Sequence, residues 1–386
     1  MLPTPTLLQT RIAISSFFIL HGFVTATWIS RIPAEKERLE MSAAVLGLVL
    51  LGNMLGALLG GLTAGIWVAW WGSRRVARTF GVAASLSLPL LGALLTPAWL
   101  FAGLVLYGFL LNILNIGMNT QAAALEARYG RPIFSSFHAL WSAGALLGSL
   151  AGAGLAGLGL SPFWHFLLVG GTGAGLAWQA GSRLLAASPS PQRQGFVLPK
   201  GALLVLGLMG FCTAISDGSI AGWSGVYLRS LGAPESLAAL GFAVHQAVML
   251  VGRSSGDWLV QQFGAVQVVR YGSLLGSFGL AVAVVSGTVE GMFFGIACMG
   301  LGMATLFPLM FAAAAQTPGM PPAAAIASIS TMSTFGGLVG PMLLGIVAEV
   351  GTVRASFAVA ALLAGVVSYL AFSLAGYQVA RTQTSD

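Results

Sequence analysis

Charge is scarce in this chain of 386 residues: charged side chains make up 7 % of it, whereas a soluble domain carries about 25 %. Apolar residues fill 57 % of the positions, and the mean hydropathy is +0.89. So little charge excludes an ordinary soluble domain, because such a domain needs far more polar surface. The composition therefore indicates a protein that crosses a membrane many times.

Cysteine is nearly absent as well. The two cysteines, Cys212 and Cys298, both fall inside apolar runs, where a structural disulfide of the secreted kind is not expected. They and the four histidines show no metal-ligand spacing, and the sequence contains no G-x-x-x-x-G-K-[ST] loop for nucleotide phosphates. We therefore expect no metal, no cofactor and no nucleotide hydrolysis by the chain itself.

Basic residues are in excess, with 17 Lys and Arg against 10 Asp and Glu, but they form no dense patch. A nucleic-acid partner is therefore not expected. The first apolar run is not followed by a small-residue cleavage site, so we interpret it as a retained span rather than a signal peptide.

Long apolar runs are what the chain has in abundance. A run of about 20 apolar residues is long enough to cross a bilayer core of about 30 Å. We count twelve such runs: residues 11–31, 43–70, 76–95, 98–122, 134–158, 162–185, 201–228, 236–262, 265–287, 290–314, 321–348 and 352–376. The sequence therefore predicts an all-α polytopic membrane protein with 12 transmembrane helices.

The longest connection, residues 186–200, is polar, basic and proline-bearing, and it separates six spans from six. The two halves match at a nearly constant offset of about 192 to 195 residues. The matched pairs are Ser42 and Ser236, Gly72 and Gly264, Arg78 and Arg270, Gly144 and Gly336, and Gly148 and Gly340. We predict two pseudo-symmetric six-helix bundles, residues 1–185 and 201–386, as in transporters built from parallel repeats.

The distribution of basic residues predicts the orientation in the membrane. With both termini in the cytoplasm, most of them lie inside: Arg11, Arg74, Arg75, Arg78, Arg128, Arg131, Arg183, Arg193, Lys200, Arg270 and Arg381. Only Arg31, Lys36, Arg38, Arg229 and Arg354 then lie outside. The positive-inside rule selects this orientation, and we expect a monomer in the lipid bilayer of the inner (cytoplasmic) membrane.

Several runs carry a family resemblance: NIGMNTQAAALEARYGRP, SSFHALWSAGALLG, WSGVYLR and GRSSGDWLVQQFG. Together with the twelve spans, the central loop and the basic loop after span two, they resemble the major facilitator superfamily over essentially the whole chain. The local runs look like a bacterial inner-membrane branch distantly related to fucose permease. The resemblance implies transport but does not identify a solute.

The sequence departs from that family at its cytoplasmic signature, an Asp-Arg pair two residues before the glycine that ends span two. Ala69 and Trp70 stand there, and Gln261 and Gln262 stand at the equivalent place in the second half. An acid and a base occur instead as Arg253 and Asp257, four residues apart and on one helix face. Their expected role is gating, and a static ion pair is the alternative.

Asp217 is the isolated acid of the chain, near the middle of span seven. An unpaired carboxylate in hydrocarbon costs several kcal/mol, so such an acid usually faces a wet cavity or a partner. We expect it to carry a coupling proton. The alternatives are a protonated acid that only supports packing, or a cap at a helix break beside Gly218, Gly222 and Gly225.

Histidines supply further candidates, since imidazole titrates near neutrality. The repeat places His21, in the middle of span one, near the position equivalent to Asp217, which suggests a second proton-carrying group. His245 and Gln246 in span eight and His138 in span five are predicted to face the cavity, with packing as the alternative. His165, beside Phe163 and Trp164, is interpreted as part of an interfacial aromatic belt.

Amides and indoles complete the predicted solute site. Asn112, Asn115 and Asn119 recur on one face of span four, which we expect to point inward, either to bind solute or to join helices. Trp141 and Trp223 lie on the same spans as the polar groups and can stack on a solute ring. The predicted solute ligands are Asn112, Asn115, His138, Trp141, Trp223, His245 and Gln246.

Glycines provide close helix approach: Gly144, Gly148 and Gly152 form a ladder in span five, and Gly336 and Gly340 form one in span eleven. In drug/proton antiporters a proline follows a ladder glycine of span five, whereas Ser149 stands here. This difference argues against drug export.

The sequence therefore predicts a proton-linked secondary transporter of a small polar solute, such as a sugar or related metabolite, working by alternating access. Efflux of amphipathic compounds is the nearest alternative. A remote one is an intramembrane serine protease, because Gly222, Ser224 and Gly225 spell a G-x-S-G motif.

Overall fold

A computed structural model describes residues 6–129, 133–186, 202–318 and 322–377. Within these ranges the chain is helical and has no strand. The helices are α1 (Leu7–Arg38), α2 (Ala43–Ala93), α3 (Pro97–Tyr129), α4 (Phe134–Gly157), α5 (Pro162–Gly181), α6 (Ala202–Ser230), α7 (Glu235–Phe263), α8 (Ala265–Ser286), α9 (Val289–Met303), α10 (Leu306–Ala315), α11 (Pro322–Val350) and α12 (Val353–Leu370), followed by a 3₁₀ helix (Ala371–Tyr377). The predicted central loop falls almost entirely outside the described residues.

The predicted spans correspond to these helices. By length and composition, 10 helical stretches of the described chain are able to cross a membrane. The 51-residue α2 is counted once, although Gly72 divides it into the second and third spans with a φ of 72°, and α5, the predicted sixth span, is not counted. Gly264 has a φ of 79° at the same place in the second half. Both positions lie in the left-handed region, which favours glycine.

Several helices differ from the prediction, and α3 runs on from the predicted end of its span at residue 122 to Tyr129. We expected the first span to end at residue 31, but α1 continues through Pro33 to Arg38. Arg38 lies one turn from Glu35 and donates from Nε to its Oε2 at 3.0 Å, which stabilises this last turn. The tenth span is divided between α9 and α10, and the break falls at Ala304 and Thr305.

The described helices form two compact units. Unit one contains α1 to α5 together with Pro234–Ala243, the beginning of α7. Unit two contains α6, α7 from Val244 onward, and the remaining helices. α7 is therefore one continuous helix that belongs to unit one at its start and to unit two for the rest of its length.

The two units repeat the same contacts. A Cβ on Gly144 would lie 2.1 Å from the carbonyl oxygen of Ile19, and one on Gly336 would lie 2.4 Å from that of Phe211. Gly336 follows Gly144 by 192 residues, as Phe211 follows Ile19. At the same offset, the contact of Gly148 with Phe23 corresponds to that of Gly340 with Ile215. The contact of Gly60 with Phe109 corresponds in the same way to that of Gly252 with Leu301. These equivalent contacts confirm the predicted duplication.

Candidate functional site

The isolated acid of unit two has a histidine beside it. Asp217 lies in the middle of α6, which is continuous from Ala202 to Ser230, so the alternative of a cap at a helix break is wrong. Its Oδ1 lies 3.1 Å from Nε2 of His245 on α7. The His245 side chain is 1 % exposed, whereas 37 % of the Asp217 side chain is exposed. The pair therefore combines a buried imidazole with a carboxyl group that is partly exposed.

Arg253 follows His245 by two turns of α7, and its charge also acts on Asp217. The expected partner of Arg253 was Asp257, whose side chain lies outside the described residues. Arg253 therefore extends the electrostatic group that begins with Asp217 and His245.

Two further predicted residues of unit two are buried: Trp223 is 0 % exposed and Gln246 is 5 % exposed. The indole Nε1 of Trp223 and the Oε1 of Gln246 have no hydrogen-bond partner among the described residues. Buried polar atoms in proteins nearly always have a hydrogen-bond partner, so these two atoms are unusual. Neither side chain has free surface for a solute in this structure.

In unit one, His21 lies between two helices. The indole Nε1 of Trp141 donates to His21 Nδ1 at 2.7 Å. An indole nitrogen is only a donor, so His21 carries its proton on Nε2, which lies 3.3 Å from the carbonyl oxygen of Leu111. His21 thus connects α4 to α3, with both ring nitrogens engaged. A proton can bind Nδ1 only when the Trp141 bond breaks.

His138 opens onto the same region of unit one. It is exposed and lies one turn before Trp141 on α4. Phe18, one turn before His21 on α1, meets the His138 ring edge-on with centroids 5.3 Å apart. These four side chains form a cluster of two imidazoles, an indole and a phenyl ring, which we call the aromatic cluster.

The three asparagines of α3 do not act together. Asn112 packs against α2, where a Cβ on Gly61 would lie 3.4 Å from its Oδ1. Asn119 donates from Nδ2 to the Oδ1 of Asn115 at 2.9 Å. Asn112 and Asn115 are half-buried, so both keep surface for a solute, while the Asn119 amide is used within the helix.

The repeat gives the Asp217 and His245 pair a neutral counterpart. Gly300 packs on the backbone of His245, and Gly108 packs in the same way on the backbone of Asn53, so His245 and Asn53 are equivalent. The same offset of 192 residues pairs Asp217 with Thr25. The residue equivalent to Asp217 is therefore Thr25, one turn beyond the predicted His21. Thr25 Oγ1 and Asn53 Oδ1 are buried without a partner in the described chain.

A buried arginine that the sequence analysis did not select lies at the other end of α1. Arg31 is 0 % exposed. It donates from Nε to His165 Nδ1 at 3.1 Å and from Nη2 to the Leu160 carbonyl oxygen at 2.8 Å, and it forms an ion pair with Glu235. We call these four residues the Arg31 cluster. Its nearness to Glu35, Lys36 and Arg38 made it look like part of a charged loop.

The same cluster corrects the interpretation of His165. An interfacial belt places a ring at the surface, and Trp164 is 57 % exposed as such a belt requires. His165 itself is 0 % exposed. Its ring points inward because it accepts the hydrogen bond from Arg31.

Ser224, the candidate protease nucleophile, is 2 % exposed and lies inside the continuous α6. A peptide has no access to it there. Among the described residues, no group of three His, Cys, Asp or Glu is placed to hold a metal ion. What the arrangement offers chemically is proton exchange between a carboxyl and an imidazole group, and hydrogen bonding with stacking at the aromatic cluster.

Comparison with known proteins finds relatives across nearly the whole chain, although no family model matches it. An uncharacterized MFS-type transporter of Yersinia pestis is 33 % identical over 90 % of this chain and 91 % of its own. The uncharacterized transporter y4wD of Sinorhizobium fredii is 33 % identical over 93 % and 96 %. The membrane protein MosC of Rhizobium meliloti is 30 % identical over 89 % and 85 %.

Solved structures share the fold at low identity. The nucleoside transporter NupG superimposes with a TM-score of 0.73 at 14 % identity, covering 95 % of this chain and 98 % of that one. A bacterial homologue of the human lysosomal transporter Spinster gives 0.75 at 15 %, covering 96 % and 97 %. A D-xylose-proton symporter gives 0.72 at 13 %, covering 95 % and 97 %.

Proposed function

This chain belongs to the major facilitator superfamily of membrane transporters, and we propose that it moves a small polar solute by alternating access, coupled to protons. The observation that carries this proposal is the Asp217 and His245 pair. An acid in the middle of an apolar span is costly, and it is retained where it has a function. A proton shared with an imidazole 3.1 Å away lets the acid change charge during the cycle.

The duplication supports the same role. The equivalent positions in unit one hold Thr25 and Asn53, which fill the space but do not change charge near neutral pH. If the acid served packing alone, neutral residues would serve in both units. We therefore assign coupling to unit two, with Asp217 as the proton carrier and His245 as its partner.

His21 has a different role in this proposal from the one expected from sequence. Both of its ring nitrogens are engaged by Trp141 and Leu111, so it holds the indole in place at the solute site. Proton binding at Nδ1 would free the indole, and this makes His21 a second place where protonation and solute binding meet.

We propose that the solute binds to the aromatic cluster together with Asn112 and Asn115. Imidazole and amide groups bind hydroxyl groups, and the indole stacks on the apolar face of a sugar or base ring. Trp223 and Gln246 remain candidate ligands because each holds a polar atom without a partner among the described residues. Both side chains are buried in this structure, so a solute could bind them only after a conformational change exposes them.

The known neighbours support a hydroxyl-bearing solute. Among the structures with this fold, one is named a nucleoside transporter and another a D-xylose-proton symporter. Both kinds of solute carry a ring with hydroxyl groups, which fits the amides, imidazoles and indole proposed here. Export of amphipathic compounds has no comparable support in the polar groups of unit one.

Gating is proposed for Arg253 with Asp257, as expected from the sequence. A modified version has electrostatic support, because the charge of Arg253 acts on Asp217. Protonation of Asp217 would weaken its attraction to Arg253 and so transmit the proton signal along α7. Asp257 is then a second acid that Arg253 can pair with.

We further propose a monomer in the inner membrane, with both termini in the cytoplasm and domains of residues 1–185 and 201–386. The division of the described helices into two units supports these domains, with the difference that α7 starts in unit one.

The test begins with a thermal-shift screen of the purified protein against sugars, nucleosides, organic acids, amino acids and amphipathic drugs, since a bound ligand raises apparent stability. The best ligand is then followed in proteoliposomes under a pH gradient. We expect Asp217→Asn to abolish uphill accumulation while exchange of internal for external solute continues. Glu290→Gln, which removes an exposed carboxyl group at the start of α9, is the control and should retain both.

Full uphill accumulation by Asp217→Asn would reject the coupling assignment. A screen in which only amphipathic drugs stabilise the protein would reject the polar solute and favour efflux. His245→Asn installs the residue of unit one at the equivalent position, so it should fold, and we expect it to shift the pH dependence of accumulation.

A further inference from the structure

Arg31 is the largest charged side chain that the described chain buries completely, and it is not part of the proposed solute or proton site. Its guanidinium group contacts three different elements: α5 through His165, the connection before α5 through Leu160, and the first residue of α7 through Glu235. The Glu235 side chain is 32 % exposed, so this part of the cluster can be reached by water.

The contact with Glu235 matters because of where α7 belongs. Residues 234–243 pack with unit one, and from Val244 onward the same helix packs with unit two. The first turns of α7 are therefore held by unit one, although the helix is continuous to Phe263. The ion pair between Arg31 and Glu235 holds that first turn against α1.

His165 decides how Arg31 is held. A guanidinium group has donors only, so the bond from Arg31 Nε requires a lone pair on His165 Nδ1. His165 must therefore be neutral, with its proton on Nε2, a buried atom without a hydrogen-bond partner among the described residues. A protonated imidazole would place two cations 3.1 Å apart in a buried site.

We propose that His165 positions Arg31, and that binding of a proton by His165 releases the first turn of α7 from α1. Without this hydrogen bond the guanidinium group turns away from the imidazolium. Its ion pair with Glu235 and its hydrogen bond to the Leu160 carbonyl oxygen are then broken. The Arg31 cluster is thus a pH-sensitive latch on α7, separate from the Asp217 and His245 pair.

The charged groups around His165 are few. From α1, Arg31 is in direct contact, and Glu35 acts on Arg31 from one turn further on, with its carboxylate held by Arg38. From α7, Glu235 lies on the far side of the guanidinium group. α4 presents the backbone of Gly152, and the neighbouring ring on α5 is Phe166. The guanidinium group is thus the only charge found in direct contact with the imidazole among the described residues.

A disulfide across the latch measures whether it is closed. A Cβ on Gly157, the last residue of α4, would lie 3.6 Å from the Cβ of Ser236, the second residue of α7. Disulfides form at Cβ separations of about 3.5 to 4.5 Å. The variant Gly157→Cys with Ser236→Cys should therefore cross-link readily when the first turn of α7 is in place. Background is low because the native Cys212 and Cys298 are buried.

The rate of cross-linking is compared in two backgrounds, native His165 and His165→Asn. An asparagine Oδ1 replaces Nδ1 as an acceptor but cannot take up a proton, so this latch should stay closed at every pH. Thiolate is the reactive form and decreases in both backgrounds at low pH, so the ratio of the two rates removes that effect.

We expect the two backgrounds to cross-link equally at about pH 8, and the native one to be slower by about twofold or more at about pH 4. A ratio that stays near one at both pH values overturns the proposal. If Glu235→Gln in the native background removes the pH effect while His165→Asn keeps it, the carboxyl group of Glu235 is the sensor and the assignment to His165 is overturned.

His165→Phe removes the acceptor altogether and should cross-link slowly at both pH values. Because this variant leaves a buried guanidinium donor unpaired, its folding is checked by gel filtration, and the decisive comparison remains His165→Asn. The experiment uses no solute and no proton gradient, so it can fail while the proposed transport function stands, and the reverse also holds.

Discussion

The contact between Trp141 and His21 shows how single side chains prepare a solute site. Half-buried Trp141 donates its only N–H to Nδ1 of His21, which fixes the orientation of the indole ring. In contrast, fully buried Trp223 has an Nε1 without a partner in the described chain. Two indoles that look alike in sequence therefore have different environments, one held by a hydrogen bond and one by packing alone.

A double-mutant cycle tests the first of these contacts. Trp141→Phe and His21→Phe each remove one partner, so the effect of the pair should be smaller than the sum of the single effects. We expect a coupling of about 0.5 to 1.5 kcal/mol, the usual value of one hydrogen bond. Unfolding of the detergent-solubilised protein in a denaturant series measures the four free energies.

The control cycle combines Trp141→Phe with His165→Asn, whose hydrogen bond is with Arg31 instead. These two changes should be additive. Coupling as large in the control as in the test pair would mean that the effects spread through unit one as a whole and do not report the bond.

Individual candidate residues were predictable, but their pairing was not. Asp217 and His245 stood out because each is a polar group within an apolar run, a property of the sequence alone. Their separation of 3.1 Å depends on how α6 and α7 are rotated, and a single sequence contains no signal for this. The offset estimated from loops was also slightly too long, which is why His21 rather than Thr25 was matched with Asp217.

A helix pair, α1 with α4, shows how glycine controls packing. Gly144 and Gly148 face the backbone of α1, and a Cβ would lie 2.1 Å and 2.5 Å from the carbonyl oxygens of Ile19 and Phe23. The equivalent helices α6 and α11 are closest at Gly336, while a Cβ on Gly340 would only reach normal van der Waals contact at 3.5 Å. The two units therefore use the same ladder with different tightness.

This difference predicts which glycines tolerate a methyl group. Gly144→Ala should force α1 and α4 apart and lower stability by about 1 to 3 kcal/mol, as overpacking usually does. Gly154→Ala lies on the same helix with no atom within 4 Å of the new Cβ, and it should be neutral or stabilising by up to about 1 kcal/mol. Apparent melting temperatures in detergent compare the two, and equal losses would contradict the packing argument.

Helix positions were predictable to within a few residues wherever an apolar run determined them. The extension of α1 was not, because residues 32–38 contain proline and four charged side chains, which is typical of a loop. Their charges are satisfied locally: Arg38 binds Glu35 and donates from Nη2 to the Leu94 carbonyl oxygen at 2.7 Å. This extension places Arg31 inside a helix, where it can reach α5 and α7. The role of Arg31 was therefore not predicted for the same reason that the extension of α1 was not predicted.

The chain as a whole is a duplication whose two units differ at their polar positions. The repeated contacts preserve the packing, while the polar positions have diverged into an acid with an imidazole in unit two and threonine with asparagine in unit one. The aromatic cluster, with its two imidazoles, lies in unit one.

The orientation proposed for the whole chain rests on the distribution of its basic residues and is open to a labelling test. With both termini in the cytoplasm, the loop at residues 186–200 faces inward and Glu290, at the start of α9, faces outward. A thiol reagent that does not cross membranes should label Glu290→Cys in intact cells and Ser190→Cys only after the cells are made permeable. The native Cys212 and Cys298 are 3 % and 8 % exposed, so they contribute little labelling of their own. Labelling of Ser190→Cys in intact cells would invert the proposed orientation, and the Arg31 cluster would then sense the pH of the cytoplasm instead of the pH outside.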